Sequence, residues 1–150
     1  IKEAAAMRGN NLQHIFVSPD EPDCDFKLCY DIVNDPSNCG KFLDSFHVEH
    51  HVSPATHWSD LPQKFIEFLP RHRDRDSFIF DSVHPDTVSW YVMTGQLERL
   101  ADHYVHIGQK SGKDKATLVA EMRRRLKPIR EFTAGKAQKA ADARRERKAK

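Results

Sequence analysis

The sequence predicts an α+β fold: a small N-terminal antiparallel sheet, suited to stapling by zinc, packed with helices and followed by a C-terminal helical hairpin and a basic tail. Three observations carry this. Strand-forming runs lie in the first third of the chain, helix-period patterns begin near Ser59, and charge is divided unevenly along the chain. Residues 1–107 hold 9 Lys and Arg against 17 Asp and Glu, a balance of −8, whereas residues 108–150 hold 15 against 5, a balance of +10. A chain of 150 residues with 39% hydrophobic content and nine Phe can bury a core of its own. The expected organisation is an acidic α+β body over 1–107 including a long helix 86–107, a second hairpin helix within 108–135, and a basic flexible tail over 136–150.

Residues 2–8 are strong helix formers that stop at Gly9-Asn10-Asn11. Leu12 to Ser18 is rich in strand formers and is halted by the acidic turn Pro19 to Asp23. From Phe26 to Val33, Phe26, Leu28, Tyr30 and Ile32 alternate with Lys27, Cys29 and Asp31, which predicts a half-buried strand. Asn34 to Asn38 turns the chain. Phe46, Val48, His50 and Val52 then alternate as a further strand, although Phe42, Leu43 and Phe46 also fit a helical turn.

Ser59 caps a predicted helix whose apolar face is Leu61, Phe65, Phe68 and Leu69, with Pro62 in the first turn and Pro70 as its end. Arg71 to Asp76 reads as an exposed loop, and Phe78-Ile79-Phe80 as a short buried strand. His84-Pro85-Asp86 opens the long helix, with Trp90, Met93, Leu97, Leu100, Tyr104 and Ile107 on its apolar face and Gly108 closing it. Gly95 inside it costs about 1 kcal/mol relative to Ala, so a bend or a close packing partner is expected there. The second helix follows Asp114, with Leu118, Met122, Leu126 and Ile129 at helical spacing and a kink at Pro128. Beyond Gly135 no large apolar residue remains, so no face of that segment can be buried.

All three cysteines and four of the nine histidines fall between Cys24 and His57. Thiolate and imidazole suit a borderline-soft divalent ion, and zinc takes four such ligands in a tetrahedron. The candidate metal ligands are Cys24, Cys29, Cys39, His47 and His50, with His51 adjacent. The competing reading is that Cys29 packs as a small apolar residue and the histidines cover a surface. Three cysteines cannot all pair within one chain, and no secretory signal or membrane-spanning apolar run is present in the sequence, which points to an intracellular, cytoplasmic or nuclear, setting with no membrane partner.

Cys39-Gly40-Lys41-Phe42, followed by Glu49-His50-His51 and then His72, resembles the His-Asn-His nuclease family. The resemblance implies that His50 or His51 acts as general base, with Glu49 and His72 holding another divalent metal at the scissile phosphate. The family's middle asparagine has no counterpart, since no Asn follows Asn38. Glu98, Asp102 and His106 share one face of the predicted long helix, and the separation of Arg99 and His106 is similar to that in all-helical ribonucleases. A polar stripe on an amphipathic helix is ordinarily its wet face.

The basic set Arg123, Arg124, Arg125, Lys127, Arg130, Lys136, Lys139, Arg144, Arg145, Arg147 and Lys148 is suited to phosphate oxygens and to salt-dependent, sequence-independent binding of DNA or RNA. An acidic protein partner is the alternative occupant. Without a complete catalytic set, the sequence favours a non-enzymatic nucleic-acid-binding protein with a structural metal over a metal-dependent nuclease.

Overall fold

A computed structural model of the chain describes residue 16, residues 24–108 and residues 113–126. The expected helix over 2–8, nearly all of the strand 12–18, the Pro128 kink and the tail over 136–150 lie outside the described residues. Within them the fold is mixed α and β, with six α-helices and one two-stranded sheet. No described helix is long and apolar enough to cross a membrane.

The sheet joins β1 (Tyr30–Val33) to β2 (Phe78–Asp81), and the pair is parallel, with Tyr30 opposite Phe78 and Val33 opposite Asp81. This corrects the antiparallel expectation. The segment between the strands holds two helices rather than a tight turn, so the chain returns to the same end of the sheet before β2 begins, as a parallel pair requires. An antiparallel element does occur at the edge of β2. There Tyr104 bridges Phe80, Val105 N donates to Ile79 O at 2.9 Å, and Asp81 N donates to His103 O at 2.7 Å.

Both faces of the sheet are covered. Tyr30 and Ile32 of β1 and Phe78 and Phe80 of β2 enter the main core with Phe16, Val83 and Tyr104. The helices α4 (Pro85–Met93), α5 (Leu97–Ala101) and α6 (Lys115–Arg125) close it with Val88, Val92, Leu97, Leu100, Leu118, Val119 and Met122. Side chains alternate along a strand, so Cys29, just before β1, and Asp31 project to the opposite side. A second, smaller core forms there from Phe26, Leu28, Cys29 and Val48, with Phe68 and Val52 against it.

That second layer is helical where strands were expected. Phe26 to Leu28 belong to α1 (Asp25–Leu28), and the stretch expected as a strand over Phe46 to Val52 is α2 (His47–Val52). Residues i and i+4 of α2 share a face, so Val48 and Val52 meet the small core together, a pairing that an alternating strand also permits and that sequence alone leaves ambiguous. The Asp31 carboxylate decides it, since Oδ1 accepts from Val48 N at 2.8 Å and satisfies a donor at the start of α2. Helix α3 (Leu61–Arg75) runs straight through Pro70 and takes in the stretch expected as a loop. An interior proline costs about 3 kcal/mol. Burial of Leu61, with Phe65, Phe68 and Leu69 half-buried along the helix, contributes against it.

The expected long helix 86–107 is two helices. Gly95 adopts φ +72 after Thr94, Gly95 N donates to Val92 O at 3.2 Å and Gln96 N to Tyr91 O at 2.8 Å, a Schellman closure. Breaking there turns Leu97 and Leu100 toward Val88 and Val92, and leaves Trp90 and Met93 exposed rather than on the core face. Asp114 caps α6 by accepting from Thr117 N at 2.7 Å, as its position before the periodic stretch predicts.

Candidate metal centre

Two clusters of ligand-type side chains meet on the covered side of β1, and α2 contributes to both. In the first, Cys29 at the entry to β1 faces His47 and His51, and their ligand atoms lie within 4.8 Å of one another. His47 and His51 are i and i+4 on α2 and so project from one face, with ring centroids 4.6 Å apart. Cys29 and His47 are buried, whereas His51 is exposed, so the cluster opens to solvent on the His51 side. The Nδ1 atom of His47 lies 3.4 Å from Asp44 Oδ1, the kind of carboxylate contact that orients metal-binding imidazoles.

The electrostatics favour neutral imidazole at His51. Burial, together with the neighbouring His47 and His50, pushes the His51 pKa down. Burial works to raise the Asp44 carboxyl, but the hydrogen bond and charge of His47, with His50 and His51 nearby, hold it below the usual carboxylate range. A metal needs thiolate and neutral imidazole as ligands.

In the second cluster Asp31 of β1, Glu49 of α2 and His72 near the end of α3 converge, again with ligand atoms within 4.8 Å of one another and all three side chains at 0% exposure. His72 Nε2 lies 2.6 Å from Glu49 Oε1 and 3.6 Å from Asp31 Oδ2. Aromatic rings wall it in, Phe26 at 4.9 Å and Phe65 at 5.3 Å from the His72 centroid. Burial, then the adjacent Glu49 carboxylate, pushes the Asp31 pKa well above the usual value against the opposing pull of backbone N–H groups of Val48 and His47.

Comparison with family models, curated proteins and solved structures gives no match.

The predicted ligands divide. Cys29 and His47 come together, and His51 completes the trio in place of His50, whose exposed ring stands 6.1 Å from His47 and outside both clusters. The reason is helical geometry, because His50 lies one residue round α2 from the shared face. Cys24 is half-buried at the start of α1, packed against the small core and outside both clusters. The backbone of Cys39 is in the 3₁₀ turn Asn38–Lys41, and its side chain lies outside the described residues. Glu49 and His72, the metal ligands implied by the nuclease resemblance, do meet, but in an enclosed cluster, while His50 and His51, the implied bases, are exposed and in neither case part of it.

The arginines of α6 also separate. Arg125, expected to point outward, is buried with its guanidinium 4.3 Å over the Phe78 ring, donating to Glu121 Oε1 at 2.6 Å and Asp76 O at 2.9 Å. Arg124 makes two 2.7 Å bonds to Glu121, and Arg123 is exposed beside Glu98 at 2.8 Å. Lys127, Arg130, Lys136, Lys139, Arg144, Arg145, Arg147 and Lys148 lie outside the described residues. The stripe Glu98, Asp102 and His106 does not share a helix, since α5 ends at Ala101; Glu98 and Asp102 pair with Arg123 and Lys115. Asp31 is the member that sequence reasoning missed, because an acid on an alternating strand looks like its wet side.

Proposed function

We propose that the protein binds zinc through Cys29, His47 and His51 and uses that ion to tie the entry of β1 to helix α2. The observation that carries this reading is the convergence of one thiol and two imidazoles, from two different elements, within 4.8 Å. Zinc–ligand bonds of about 2.0–2.3 Å set tetrahedral ligand atoms roughly 3.3–3.8 Å apart, which fits that spread. Two ligands from buried positions and one at the solvent edge leave a fourth position for water. On this reading the ion is structural, and binding energy is folding energy. Chelation should therefore lower the melting temperature of the wild-type chain by several degrees more than that of Cys29→Ser, which lacks this ion. An identical melt with and without chelator would remove the reading.

A second element of function rests on the charge division, −8 over residues 1–107 and +10 over 108–150. We infer that the basic part attaches the protein to DNA or RNA through phosphates, with the acidic body limiting non-specific contact. With Arg125 buried and Arg124 bonded to Glu121, the contacts fall to Arg123 and to the basic residues after Leu126.

A further inference from the structure

Asp31 and Glu49 are two carboxylates at 0% exposure, and both of their ion pairs among the described residues run to the same partner, His72. Such a group must be neutralised, because an uncompensated buried charge costs several kcal/mol. A shared proton and a bound cation are two ways to do it.

The geometry provides for a cation. Asp31 Oδ1 is committed to the backbone donor Val48 N, which leaves Oδ2 to face the cluster. His72 Nε2 lies 3.6 Å from that oxygen. Asp31 Oδ2, Glu49 Oε2 and His72 Nδ1 are all buried without hydrogen-bond partners. Three side chains from three elements thus bring unpartnered polar atoms into one enclosed cluster.

We propose that Asp31, Glu49 and His72 form a second metal site, distinct from the cysteine site, that encloses one divalent transition ion of the manganese, iron or zinc class. Two carboxylates and a neutral imidazole carry a charge of −2, which one such ion cancels. The oxygen-rich donor set lacks the sulfur that selects softer ions. Ligand atoms around such an ion stand roughly 3.3 Å apart, between the 2.6 and 3.6 Å seen here, so a small movement of Glu49 suffices. The site joins β1, α2 and α3 and, being sealed by Phe26 and Phe65, takes up its ion as the chain folds.

The test counts ions in the full chain purified from cells grown with added Mn²⁺ and Zn²⁺. Wild type should hold one ion that survives Cys29→Ser and falls at least about tenfold in occupancy in Asp31→Asn. That variant keeps the oxygen that Val48 N needs and removes only charge, and Glu49→Gln serves as an independent second variant. If both variants are insoluble, X-ray absorption of the Cys29→Ser chain decides, with oxygen and nitrogen neighbours and no sulfur expected. Equal ion content in wild type and Asp31→Asn, or no ion in Cys29→Ser, overturns the proposal. Loss of a different ion on Cys29→Ser reports on the zinc reading alone, so either can fail without the other.

Discussion

Arg125 carries a permanent charge where water does not reach. Its side chain is 2% exposed, yet it is held by Glu121, by the carbonyl and carboxylate of Asp76, and by the face of Phe78. Asp76 ends α3 in a left-handed conformation, so the arginine locks the end of α3 to α6. Removing one partner of such a set leaves the others uncompensated, and Arg125→Ala is expected to cost about 3 kcal/mol in denaturant unfolding, with Arg125→Lys a poor substitute because it lacks the planar fork. Arg123→Ala, at an exposed pair, should stay within about 0.5 kcal/mol. The same contrast explains what the sequence could reveal of the site. Cys29, His47 and His51 were legible as ligand types, since thiol and imidazole are rare together by chance. Arg125 and Asp31 were not, because burial of a charged residue follows from which elements cover it and leaves no local mark.

At the scale of elements, α6 is stapled along its own length by Glu121. Burial works to raise that carboxyl, but hydrogen bonds from Arg124 and Arg125 outweigh it and bring its pKa down from 4.5 to about 2. A depressed carboxylate contributes stability that is complete above 4.5 and is lost as pH falls through about 2. The melting-temperature gap between wild type and Glu121→Gln should therefore be constant near neutrality and close between these two values; a gap that widens on acidification would refute the assignment. Elements with chemical end signals were readable, such as α4 behind His84-Pro85 and α6 behind Asp114. The short helices α1 and α2 were not, because four to six residues cannot separate a period of 3.6 from a period of two. The long helix failed at Gly95, where the closing bonds of α4 outweigh the apolar pattern that continues past it.

Over the whole molecule, a two-stranded parallel sheet is covered on one side by an apolar core and on the other by a layer in which Cys, His, Asp and Glu concentrate. The apolar side was legible as pattern. The polar side was legible as composition only, since its members meet by crossing from β1 through α2 to α3. On the proposed reading nucleic-acid attachment falls to the basic end, and deleting residues 136–150 should abolish low-salt gel retardation of DNA or RNA while leaving the melt of the body unchanged. Retardation that survives the deletion would take the tail out of the account. The most direct measurement of the central claim is the absorption spectrum of the Co²⁺-substituted chain. An intense thiolate-to-cobalt band with tetrahedral visible absorption, lost in Cys29→Ser and in His47→Gln, is the predicted result. A spectrum with no thiolate band, or one unchanged by Cys29→Ser, would contradict it.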